Sequence, residues 1–147
     1  MEAVAGQLLD LVGNPSQQLE RVSEKDAAEK PSAVEWSNKE ILGHLLLDAA
    51  ANNHQRFVRA QLEDGLFFPG DEQADWVRKQ NHQSCPWLQP VHFWRLYNLQ
   101  LSHAIRQIPP ERLHTTCRIG SAEAVTLGVL TEAYLVHLRS HVQQLGD

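Results

Sequence analysis

Two cysteines are all that this 147-residue sequence carries, and Cys85 and Cys117 stand too far apart for a zinc-type C-x-x-C pair. A lone pair of this kind is read as two reduced thiols, as in a cytoplasmic protein. Long apolar runs are missing too. Nothing approaches the roughly 18 residues of a membrane span, and Met1-Glu2 opens a short amphipathic stretch without the basic and apolar regions of a secretory leader. A cytoplasmic location and no membrane partner are therefore expected. Basic clusters are absent as well: 13 Lys and Arg face 18 Asp and Glu, for a formal charge of -5. Without a patch that releases counterions, no nucleic-acid partner is expected.

What is present is ordinary globular composition, 42% hydrophobic and 21% charged, in a length suited to one domain spanning residues 1–147. Apolar positions recur at helical rather than alternating spacing, so the chain reads as all-α. A first helical region covers residues 3 to about 28, with a kink or split expected at Gly13-Asn14-Pro15. Ser37 and Glu40 form a capping-box pattern that starts a second helix, running to about residue 62. After Gly65, Pro69 and Gly70, Asp71 is placed to cap a short piece carrying Trp76 and Val77. A third helix spans about 87–108 and stops at Pro109-Pro110. Residues 115–125 suit a turn or minimal hairpin but not a sheet, and Thr126 caps a last helix over 127–145, with Gly146 just past its end. The expected architecture is a four-helix bundle with a long connection between its second and third helices.

Helical phase then sorts the histidines. His137 and His141 lie four residues apart, with Leu130, Tyr134 and Leu145 on the same inner face, while Glu132, Arg139 and Gln143 lie outside. On the second helix, His44, Asp48, Asn52 and Gln55 form a polar stripe along the face of Ile41, Leu45 and Arg59, opposite Gly43, Ala50, His54 and Gln61. His92 and His103 point away from the apolar centre of the third helix. Trp36, Trp76 and Trp94 are read as core. Three inward imidazoles need a shared reason, because a buried polar group without a partner costs about 2–7 kcal/mol depending on the reference state. An i, i+4 pair sits roughly 5–6 Å apart at Cβ, which suits two nitrogens on one ion, and His44 supplies a third. The metalloprotease pattern is absent, since Leu138 and not Glu follows His137. The sequence is read as offering no Glu-x-x-His pair of the kind a di-iron bundle needs. A mononuclear site of His44, His137 and His141 remains.

These residues resemble the DinB/YfiT-like superfamily of four-helix metal-binding proteins over nearly the whole chain. The likeness is carried by Trp36-Ser37-Asn38-Lys39-Glu40-Ile41-Leu42-Gly43-His44-Leu45, by Asp75-Trp76-Val77 with Gln80, by Trp94 to Asn98, and by Tyr134 to His141. The resemblance implies a divalent metal held by His44, His137 and His141. It also implies two families of chemistry, hydrolysis or the transfer and isomerisation reactions that use a low-molecular-weight thiol. Three neutral imidazoles leave the ion its full charge and an open position for a water or a thiol, as expected of an enzyme acting on a small-molecule substrate. Zn, Ni, Fe and Mn all accept such ligands. Asp48, one turn after His44, is a candidate second neighbour of the site or general base, and Tyr134, one turn before His137, a candidate donor to substrate or a packing residue. The alternatives are a non-catalytic metal-stabilised bundle or small-molecule binding module, and a metal-free core whose histidines bond to Asp48, Asn52 and Tyr134. The 62–80 excursion is the expected lid.

On the outer face of the third helix, Leu96 and Leu99 lie near His92 and His103, an apolar spot through which a homodimer can form. If it does, light scattering will show dimer mass for the parent and monomer mass for Leu96→Glu. An unchanged mass removes this surface from consideration.

Overall fold

The computed structural model describes residues 1–145, the side chain of Asp48 excepted, so the stop expected at Gly146 lies outside the described residues. Helix α1 (Glu2–Leu19) buries Ala5, Leu8, Val12, Ser16 and Leu19 along one stripe. It packs lengthwise on α6 (Leu88–Arg106) and α7 (Leu127–Val142). Of the kink or split expected at Pro15, the split does not occur; α1 runs through it. A proline costs the helix one backbone bond, but the stripe from Leu8 to Leu19 stays buried, at about 1.5–3 kcal/mol per large apolar side chain, and that outweighs the lost bond. The split falls later, before the short α2 (Glu24–Ala28), whose N-cap Ser23 accepts the Asp26 N–H.

Ser37 and Glu40 form the expected capping box at the start of α3 (Asn38–Leu46). The chain then passes through a π-helical segment, Leu47–Asn53, before returning to α geometry in α4 (His54–Arg59). A π turn holds an extra residue, so everything after it is rotated by about 100° relative to an unbroken α-helix. The straight helical phase put Gln55 and Arg59 inside. Both are exposed, and Arg56, Phe57 and Ala60, each one step on, are buried instead.

The long connection is more ordered than the sequence suggested. Strand β1 (Leu66–Phe68) pairs in parallel with β2 (Thr116–Ile119), which pairs antiparallel with β3 (Val125–Thr126). The hairpin expected near Gly120 therefore gains a third strand from a remote segment and becomes a small sheet. Gly120 has φ +55°, and a Cβ there would lie 3.1 Å from the Gly70 Cα, so the turn needs glycine. Asp71 does not cap α5 (Gln73–Gln80). It accepts from the buried Arg56 at 2.5 Å and 3.3 Å, and the cap position falls to Glu72.

A second clasp lies at the other end of this connection. Lys39, 2% exposed, donates from its ammonium to the Glu24 carboxylate and to the carbonyls of Gln83 (3.1 Å) and Cys85 (2.8 Å). Glu24 also accepts the Trp87 N–H at 2.8 Å, and the Lys39 and Trp87 bonds hold its carboxyl below the usual carboxylate range. Segment 82–87 is thereby pressed onto α3. Gly43, expected on the solvent side, is consequently buried under the His82 ring, and that burial pushes the His82 pKa down.

Of the three tryptophans read as core, only Trp94 is fully buried; Trp36 is half-buried and Trp76 is 46% exposed. Leu96 and Leu99 are exposed, as are His92 and His103. Among the described residues no helix is long and apolar enough to cross a membrane.

A Cβ on Gly43 would sit 2.1 Å from the His82 ring. Gly43→Ala is expected to destabilise by about 1–2 kcal/mol in urea unfolding, because overpacking outweighs the gain of roughly 1 kcal/mol in helix propensity. In a His82→Ala background the same change should become stabilising. A Gly43→Ala effect of the same sign in both backgrounds would refute the contact.

Candidate metal centre

Two helices place the predicted trio. His44 sits in the last turn of α3, on the side facing α7, and is 0% exposed. His137 and His141 occupy successive turns of α7, which is set in phase by its Thr126 N-cap and by Leu130, Leu135 and Leu138 in the core. Both are half-buried. One potential ligand atom from each of the three residues lies within 4.8 Å of the others. His44 Nε2 and His137 Nε2 are 2.9 Å apart, and the ring centroids stand 4.6–5.0 Å from one another at steep angles.

The donor set fits a metal ion. Nitrogens at about 2.0–2.1 Å from one ion lie about 3 Å from each other, close to the His44–His137 separation. A hydrogen bond between two neutral imidazoles has that length as well, but it needs only two rings. The His141 ring completes a three-sided cup. Gln144 Oε1 lies 3.3 Å from His141 Nδ1, so it can accept the Nδ1 proton and leave Nε2 as the acceptor that a metal requires.

The remaining sequence candidates divide. The side chain of Asp48 lies outside the described residues. Tyr134 is 2% exposed; its hydroxyl donates to Asn98 Oδ1 at 2.5 Å and its ring packs on Phe57. Asn98 in turn donates to the Trp94 carbonyl at 2.9 Å, so α6 and α7 are tied together one turn below His137. His54, expected outside, is half-buried with Nδ1 2.5 Å from the Tyr97 hydroxyl, which also donates weakly to the Ala50 carbonyl of the π segment at 3.3 Å. His92, His103 and His114 are exposed and distant from the trio in role. One Glu-x-x-His spacing does occur, contrary to expectation, at Glu111 and His114, but it falls on an exposed turn rather than a long helix.

Two residues beside the cluster were not singled out for it. Trp36, read as core, lies with its ring 5.3 Å from His44 and tilted by 49°. Gln144 was assigned no role, and only its spacing of three from His141 could have suggested one.

No protein-family model and no curated protein matches this sequence. Structural comparison is more informative. YfiT from Bacillus subtilis, described as a probable metal-dependent hydrolase with an unusual four-helix bundle topology, superposes with a TM-score of 0.84 at 13% identity, over 97% of this chain and 82% of YfiT. The chain has the YfiT fold. A mycothiol-dependent maleylpyruvate isomerase matches with a TM-score of 0.79 at 12% identity, over 99% of this chain but only 60% of the isomerase. The YfiT-like bundle is thus shown for this chain, and the histidine cup sits within it.

Tyr134→Phe removes the donor to a fully buried Asn98 oxygen and should cost about 1–3 kcal/mol in chemical denaturation. If Tyr134 only braces α7, metal content per folded chain should stay unchanged. Loss of the metal without loss of stability would mean that the hydroxyl acts on the site itself.

Proposed function

We propose that His44, His137 and His141 hold one divalent metal ion and that the chain is a metal-dependent enzyme acting on a small molecule. The reaction is either hydrolysis or a transfer or isomerisation assisted by a low-molecular-weight thiol. The observation that carries this reading is the convergence of three imidazoles from two helices. A divalent ion so held would supply a Lewis acid with an open position, able to acidify a water or a thiol. The descriptions of YfiT and of the mycothiol-dependent isomerase support the two branches.

The protein's own groups do the rest. The fully buried His44 is fixed between Trp36 and α7, so little rotational freedom remains to be lost on binding. Gln144 sets the His141 tautomer. Asn98 and Tyr134 hold the spacing of α6 and α7 beneath His137. In this proposal Asp48, one turn after His44 in the sequence, orients a ring or takes a proton from the nucleophile.

Elemental analysis of untagged protein, purified without chelating resin, tests the reading. The parent should carry about one metal per chain and His137→Ala close to none. Absence of metal from the parent after incubation with Zn2+, Ni2+ or Mn2+ would return the cup to a hydrogen-bonded core. A Co2+-loaded spectrum that shifts with acetohydroxamate shows an open position. A spectrum that ignores it would make the metal structural.

A further inference from the structure

A cleft of about 1040 Å³ shares two of its walls with the surroundings of the histidine cup, although none of the three histidines lines it. It is lined by Val22, Pro31, Val34, Trp36, Ile41 and Gln144, together with Asn38 and the charged residues Asp26, Glu29, Lys30 and Glu35. Two of these walls are also the neighbours of the cup: the Trp36 ring lies 5.3 Å from the His44 ring, and Gln144 lies 3.3 Å from His141 Nδ1. The cleft is thus one side-chain layer from the cup, and Trp36 belongs to both.

The wall chemistry is unusual for a surface. Val34 is 91% exposed and Trp36 is only half-buried, so an apolar and aromatic strip faces water along segment 29–36, which contains no regular secondary structure apart from bends. An aromatic face in this position can stack on a flat group, an arrangement worth about 0.5–1.5 kcal/mol beyond simple area burial. The rim offers no welcome to polyanions. Lys30 is paired with Glu40 at 3.0 Å, which leaves the carboxylates of Asp26, Glu29 and Glu35 to set its sign.

We propose that this cleft is the substrate-binding pocket of the histidine cup, and that Trp36 selects small molecules with a flat, preferably aromatic, group next to the atom that reaches the metal. The proposal rests on the metal-centre reading and adds the ligand class to it. Ligands bearing phosphate next to that flat group are disfavoured by the rim. Trp36 is here a specificity residue, positioned by the Ser37 cap that follows it and by its contact with His44.

Two hydroxamates that chelate in the same way but differ in one ring provide the test. Acetohydroxamate and benzohydroxamate are titrated calorimetrically into Ni2+-loaded parent, Trp36→Ala, Trp36→Phe and Val34→Glu, with metal content measured on every sample. The parent should prefer benzohydroxamate by about ten-fold. Trp36→Ala should bring the two affinities within about two-fold of each other, and Trp36→Phe should restore most of the preference. Val34→Glu, a change at a solvent-exposed position that cannot upset the core, should weaken benzohydroxamate selectively. A parent that does not discriminate, or a preference untouched by both Trp36→Ala and Val34→Glu, overturns the proposal. If no sample holds metal, the metal-centre reading fails by itself, and benzohydroxamate is added to metal-free protein while backbone amide signals are followed by NMR. Shifts confined to residues 29–41 and 144 would still support the pocket, and their absence would overturn it.

Discussion

A polar or charged side chain taken out of water has to be met by partners, and the helical stretch from Asn38 to Arg59 carries several of them, Lys39, His44 and Arg56 among them. Much of the architecture can be understood as the set of partners that meet them. Lys39 draws in Glu24 and the carbonyls of Gln83 and Cys85. Arg56 draws in Asp71. Together these clasps press both ends of the long connection onto the helix, so a stretch that could have hung loose is fastened at 71 and again at 83–87. His44, between them, is met by α7 and by Trp36.

This arrangement explains why the site is built on rigid elements rather than on loops. His44 comes from a capped helix pinned on one side by the His82 ring against Gly43, and its two companions come from a helix capped by Thr126. The lid expected at 62–80 is accordingly less free than its length implied: Asp64 accepts from Thr116 and β1 is paired along its length. The irregular segment at 29–36, which is shorter, reaches the cup through Trp36.

Much of the site was legible because it is local. The capping box Ser37/Glu40 and the i, i+4 spacing of His137 and His141 depend on a few neighbouring residues, and a helix obeys them wherever it is packed. The last helix showed its inner face correctly for the same reason. The π segment had no such signal. Nothing in Leu47–Asn53 announces an extra residue in the turn, and helical phase carried past it put Gln55 and Arg59 where Arg56, Phe57 and Ala60 belong. Likewise Pro15 forbids one hydrogen bond, yet the buried stripe on either side keeps α1 whole. The third strand of the small sheet was invisible because β1 and β2 lie about fifty residues apart and each is too short to show a period.

By itself the sequence determined a mainly helical bundle, the positions of most helix starts, and the inward phase of His44, His137 and His141, because helix capping and helical period are short-range rules. The YfiT-like arrangement then followed from how those helices share one core. Only the tertiary structure decided that α3 approaches α7 closely enough for His44 Nε2 to stand 2.9 Å from His137 Nε2, that the helix changes phase after Leu46, and that Trp36 lies half-exposed beside the cup instead of in the core. Those outcomes depend on contacts between residues remote in the chain, where buried charges find partners and side chains fill the same space. No window of neighbouring residues contains that information.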